Sequence, residues 1–175
     1  MGGARRAEDA ARQLTVKLVV AAVGRLNRGP ERELAERYGE RVVKGGRALG
    51  LRGLDLVEVE ESRARRPDDR AAEEAAALSR ALPENAVIVV LDERGRAVSS
   101  LDLAGMIGRW RDQGREAAVF VIGGADGLAE SILGRADLRL AFGAATWPHQ
   151  LVRIMLLEQL YRCETILAGH PYHRD

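Results

Sequence analysis

Three runs in this chain are apolar at almost every position: VKLVVAAV at 16–23, AVIVVL at 86–91 and AAVFVI at 117–122. A strand with one face in water alternates polar and apolar residues. One that is apolar on both faces is covered on both, as the central strands of a parallel sheet are. Shorter stretches at 54–59 and 138–142 supply two further strands. Helical patterns fall between the strands. The expected architecture is therefore an α/β domain, a largely parallel sheet with helices on both faces.

Helix boundaries follow from capping and breaking residues. Pro30 suits the first turn of a helix whose Leu34, Tyr38 and Val42 share one face, and Gly45-Gly46 is expected to stop it. A second helix is expected over 69–82, ended by Pro83. The charged loop before it, ESRARRPDDR, has no apolar anchor and is expected to be mobile. Ser99, Ser100 and Asp102 form a helix start and Gly114 a stop for the helix carrying Met106, Ile107 and Trp110. The last helix, over 148–167, takes Thr146 as its expected cap, with Pro148 in its first turn. Its apolar arc is wider than one sheet needs. Val152, Leu156, Leu160, Cys163 and Leu167 form one stripe, and Leu151, Ile154, Met155 and Tyr161 extend it. Two readings fit: a helix packed on its own sheet and on a second chain, or a fully buried core helix.

A chain of 175 residues makes one domain with a real core. The domain is expected over 15–175, with residues 1–14 an extension outside it, disordered or a remnant of expression. The first residues lack the apolar centre of a secretory signal, and no uncharged apolar run approaches the roughly 18 residues of a membrane span. Cys163 is the only cysteine, which excludes an internal disulfide and suits a reducing cytoplasm. The net charge of +1 makes no general case for a nucleic-acid partner. All of the 27 basic residues except Lys17 and Lys44 are arginine, a bias that base composition explains as readily as phosphate recognition.

Ligands of parallel α/β sheets bind beyond the carboxyl ends of the strands. Three strand ends carry suitable loops: Leu91-Asp92-Glu93, Gly123-Gly124-Ala125-Asp126-Gly127 and Phe142-Gly143-Ala144-Ala145-Thr146-Trp147. Glycine lets backbone groups approach a ligand closely, although each loop alone also reads as a tight turn. Neither the G-x-G-x-x-G spacing nor a Walker A sequence is present, which disfavours a standard nucleotide-binding domain. His149 reads as a solvated first-turn residue. Glu158 and Arg162 have the spacing of a helix ion pair, and Arg162 alternatively suits a phosphate or base.

The tail, His170-Pro171-Tyr172-His173-Arg174-Asp175, is dense in chemistry for a chain end. Histidine can take a proton near neutral pH, tyrosine can stack on a base, and arginine can hold a phosphate. No cysteine or acidic cluster completes a ligand set around the two histidines, so no metal is expected.

Taken in order, four motifs resemble the bacterial 23S ribosomal RNA pseudouridine N3-methyltransferases, the RlmH type of the SPOUT superfamily. They are Ile122-Gly123-Gly124 with Gly127-Leu128, Thr146 with Pro148-His149 and Leu151-Val152-Arg153, Glu158 with Leu160-Tyr161-Arg162, and the run from Gly169 to Arg174. The strand ends Val23-Gly24 and Val90-Leu91-Asp92 match as well, and the similarity spans about 15–175.

The resemblance implies a trefoil knot in the C-terminal part, which no periodicity shows because knots are rare exceptions. It implies a homodimer and bent S-adenosylmethionine held by Leu91, Gly123, Phe142, Gly143, Ala144, Ala145, Thr146 and Trp147. The implied reaction is methyl transfer to N3 of a pseudouridine in 23S rRNA, within the large ribosomal subunit or the 70S ribosome. His173 is expected to handle the N3 proton, with Tyr172 and Arg174 orienting the base or its phosphate. Arg162 projects from the last helix towards the same region and is a second candidate for the catalytic set. The alternative is a non-catalytic ribosome- or RNA-binding protein that keeps the fold.

Overall fold

The computed structural model describes residues 14–173, so the expected extension lies outside the described residues except for Leu14. Strands β1 (Val16–Val23), β2 (Leu51–Val59), β3 (Ala86–Ala97), β4 (Ala117–Ile122) and β5 (Leu138–Ala141) form one sheet. Their order is β2-β1-β4-β3-β5, and every neighbouring pair is parallel. The three apolar runs are the three inner strands, and the less apolar stretches are the edges. Pattern and position agree.

Helices α1 (Pro30–Gly46), α3 (Ser100–Asp112) and α5 (His149–Leu167) cover one face of the sheet. Helix α2 (Pro67–Ser79) and the short α4 (Glu130–Leu133) cover the other. Alternate residues of β1 divide between two cores, Leu18, Val20 and Ala22 towards α5, and Val19, Ala21 and Val23 towards α2. The expected fold class stands.

Several boundaries differ, each for a physical reason. Helix α1 does not stop at Gly45-Gly46; it runs through both, tightens into a 3-10 turn at Arg47–Leu49, and ends at Gly50 with φ 76°. Those glycines serve close approach instead. A Cβ on Gly46 would stand 2.9 Å from the Cβ of Leu51, and one on Gly45 would collide with the carboxylate of Glu164. Gly46→Ala therefore tests packing against propensity. Helix propensity favours alanine by about 1 kcal/mol, while overpacking against so fixed an atom costs about 1–3 kcal/mol. A lowered thermal midpoint is expected, and a raised one would show that room exists.

The charged loop expected to be mobile is anchored by polar bonds in place of apolar ones. Ser62 N–H donates to Glu74 Oε1 at 2.9 Å, and Arg70 Nη1 donates to the carbonyls of Ala64 and Arg65, each at 3.1 Å. Strand β3 continues past Leu91 through a register shift, so that Leu91 and Arg96 both pair with Leu140. Helix α5 begins at His149 with Pro148 as its N-cap, and Thr146 does not cap it. Ser99 does cap α3, accepting the Asp102 N–H at 3.0 Å.

Candidate active site

Strand register brings the three expected loops together. Leu91 lies opposite Ile122 on one side and Leu140 on the other, so Gly123 and Phe142 extend from strands flanking Leu91. In the glycine turn, Gly127 N–H donates to the Gly124 carbonyl at 3.1 Å, and Gly127 has φ 78°. A Cβ on Gly123 would fall 2.8 Å from the Gly127 backbone, so the turn closes only without one.

Leu91-Asp92-Glu93 is not a loop but part of β3, and the Thr146 hydroxyl donates to Glu93 Oε2 at 2.8 Å, tying that strand to the loop after β5. Trp147 Nε1 donates to the Phe142 carbonyl at 3.2 Å, which folds that loop over its own base. Gly143, Ala144, Ala145, Thr146 and Trp147 are exposed. Among the described residues their backbone N–H groups donate to no other backbone group. The result is a ledge with a partly apolar floor and unspent peptide groups, suited to the edge of a planar heterocycle.

Polar side chains behind the ledge hold it in place. Arg70 on α2 donates to both oxygens of Asp126, at 2.6 and 3.0 Å, and this bond holds the Asp126 carboxyl below the usual carboxylate range. Arg153 is 2% exposed and pins α5 to the end of β1. Its Nη1 lies 2.5 Å from Glu58 Oε1, and its Nη2 donates to the carbonyls of Gly24 at 2.8 Å and Val23 at 3.4 Å. Burial lowers the Arg153 pKa and Glu58 opposes the shift. His149 Nε2 stands 3.7 Å from Glu61 Oε1 at the same corner. Sequence reasoning missed the anchoring role of Arg153. The signal was a lone charge inside the apolar run Leu151-Val152-Arg153-Ile154.

The tail turns back along α5. Gly169, with φ 66°, donates to Ile166, and His170 N–H donates to Thr165 at 2.8 Å, the paired bonds of a glycine-ended helix stop. Tyr172 then lands on α5. Its hydroxyl donates to Glu158 Oε1 at 3.2 Å, and its ring packs 4.8 Å from that of Tyr161. Arg162 bonds the same carboxylate oxygen at 2.6 Å and lies 5.0 Å over the Tyr172 ring. Burial, then Glu158, raises the Tyr172 pKa, so the phenol remains a donor. The structure thus unites Arg162 and Tyr172, with His173 next in the chain and half-buried. Arg174 lies outside the described residues.

Ledge and tail do not meet along α5. At 1.5 Å per residue, Arg162 stands about 20 Å down the helix from His149. The helix is buried over most of its circumference by its own chain. Leu156 and Leu160 are fully buried, Leu151 is 41% exposed, and Met155 and Val152 are half-buried. Burial also drives the Cys163 thiol up to about 12, which leaves it inert. Among the described residues no group of His, Cys, Asp and Glu could hold a metal ion, and no helix is long and apolar enough to cross a membrane.

A parallel sheet whose neighbouring strand ends form an open ledge is the layout of a small-ligand-binding α/β domain. Comparison identifies which one. The model of the family described as "Predicted SPOUT methyltransferase" matches residues 16–173, and the chain belongs to that family. It is 62% identical over 159 residues to the ribosomal RNA large subunit methyltransferase H of Bradyrhizobium sp. strain ORS 278, covering 91% of this chain and 98% of that one. The protein of that name from Bradyrhizobium sp. strain BTAi1 is 63% identical, covering 91% and 99%. That of Nitrobacter winogradskyi is 59% identical over the same shares.

Proposed function

We propose that the protein transfers a methyl group from S-adenosylmethionine to N3 of a pseudouridine in 23S rRNA of the large ribosomal subunit or the assembled ribosome. The observation that carries this reading is the strand-end ledge in a chain whose relatives, at about 60% identity over nearly their whole length, are ribosomal RNA large subunit methyltransferases. The ledge fits such a ligand. A Cβ at Gly127 or Gly143 would meet nothing within 4 Å, so the backbone there is open to a close neighbour. Leu91, Gly123 and the residues from Phe142 to Trp147 would hold the cofactor, which supplies a methyl on a sulfonium.

The remaining work belongs to the chain. N3 of the base must lose its proton as it attacks, and His173 takes that proton. Tyr172 and Arg174 orient the base or its phosphate, and Arg162, held by Glu158, supports Tyr172 and is a second candidate for a contact to the substrate. Holding nitrogen and methyl in line supplies much of the rate. Since ledge and tail stand apart along α5, the complete site is formed between two copies, the tail of one over the ledge of the other. The trefoil threading and the cytoplasmic setting of ribosomes belong to the same reading.

The test is methyl incorporation into 70S ribosomes from a strain lacking the gene, followed by mass mapping of 23S rRNA. One methyl on a pseudouridine is the expected product. Cofactor binding without transfer would instead support a non-catalytic RNA-binding protein. Calorimetry checks the ledge. Gly123→Ala, whose methyl strikes the Gly127 backbone, should lower S-adenosylmethionine affinity by about 5- to 150-fold, as overpacking of about 1–3 kcal/mol implies. Trp147→Leu keeps an apolar contact and should weaken binding only a few-fold. Equal affinity in Gly123→Ala and wild type would remove the turn from the site.

A further inference from the structure

Tyr38 and Arg41 of α1 belong to none of the groups assigned so far, yet they touch them. The Arg41 guanidinium lies 5.6 Å from the Tyr38 ring centroid and 5.4 Å from that of Tyr161. Tyr38 and Tyr161 are 6.3 Å apart, and Tyr161 packs in turn on Tyr172. All 3 tyrosines of the chain thus gather from α1, α5 and the tail into one cluster. A guanidinium stands at each end, Arg41 over the first two rings and Arg162 over the last.

The two arginines are not equivalent. Arg162 spends a donor on Glu158, as Arg32, Arg70 and Arg153 spend theirs on Glu36, Asp126 and Glu58. Arg41 is exposed, and among the described residues its guanidinium has ring contacts but no hydrogen bond or carboxylate partner. A guanidinium laid against aromatic rings keeps its planar fork oriented while its N–H donors stay available. That is a prepared receptor for a doubly accepting anion, and bidentate phosphate recognition is the chemistry it suits. Its neighbour through Tyr161 is the tail residue that orients the base.

We propose that Arg41 binds a backbone phosphate of the substrate RNA beside the target nucleotide, with Tyr38 and Tyr161 as the platform that orients it. This rests on the reading of the protein as an RNA methyltransferase and extends its substrate site from α5 and the tail onto α1.

The experiment is steady-state methylation of 70S ribosomes from a strain lacking the gene, at several KCl concentrations and fixed magnesium. Arg41→Ala should raise KM for ribosomes about tenfold at low salt, and the slope of log KM against log salt should fall by about 1, the signature of one lost phosphate contact. S-Adenosylmethionine affinity by calorimetry should not change, which also reports an intact fold. Arg41→Lys keeps the charge but not the fork, so KM should rise less and the slope should persist. Tyr38→Ala should raise KM with the slope retained. An unaltered slope in Arg41→Ala, with wild type active, overturns this proposal alone. Loss of the dimer in that variant by light scattering would assign the guanidinium to the contact between copies and also overturn it. Wild-type protein that methylates no ribosome overturns the parent reading, and this proposal with it.

Discussion

Arg153→Ala is expected to cost several kcal/mol of stability and to lower S-adenosylmethionine affinity at the same time. Removing one partner of a buried ion pair costs about 3–5 kcal/mol, because the other charge stays desolvated. Here Glu58 would lose its 2.5 Å partner, and the carbonyls of Gly24 and Val23 would lose theirs. The Glu58 side chain is 27% exposed, which lets water compensate in part and places the cost near the lower end. A cavity of about 130 Å³ already lies beside Arg153, lined by Val20, Ala22, Leu26 and Glu58, and truncation would enlarge it. Set against a total stability of about 5–15 kcal/mol, the loss is a large fraction. The measurement is the urea midpoint of the variant. Arg153→Met combined with Glu58→Gln should recover part of the loss, since no charge is then buried alone. A single variant within about 1 kcal/mol of wild type would show that the pair is not what holds α5 to β1.

What could be read in the sequence, and what could not, divides by the range of the interaction. Strands β1 and β4 were legible to the residue because burial on both faces leaves a continuous apolar run. The ledge was legible because it follows from strand ends alone. The partners of Arg153 and Arg70 were not, since Glu58 is 95 positions from Arg153 and Asp126 is 56 from Arg70. Gly45-Gly46 looked like a stop because local signals cannot reveal that Leu51 and Glu164 crowd the same helix face. Thr146 had the chemistry of a cap, and Glu93 on strand β3 claimed its hydroxyl. Helix α4, of 4 residues, is too short for any period to register. The wide apolar arc of α5 was visible, but its two sides were not separable. Leu156 and Leu160 belong to this chain's own core, so neither reports on a contact between copies.

Deleting residues 172–175 should leave S-adenosylmethionine binding intact and abolish methyl transfer. Tyr172 lies on Glu158 and Tyr161 of α5, several turns from the ledge, so its loss should not disturb the ledge. His173→Ala should do most of the same, lowering kcat by about 100-fold or more as the loss of a general base does. Complementation decides which copy the tail serves. A tail-deleted chain keeps its ledge and a Gly123→Val chain keeps its tail, so each is inactive alone. If the tail works on the partner's ledge, an equal, exchanging mixture holds one complete site in each mixed dimer, and about a quarter of wild-type activity should return. If the tail bends round to its own ledge, the mixture stays dead. Light scattering on the same mixture confirms that dimers persist. Activity regained would place the two halves of one site on two chains. A silent mixture of intact dimers would return both halves to a single chain and require the tail to leave Glu158 during turnover.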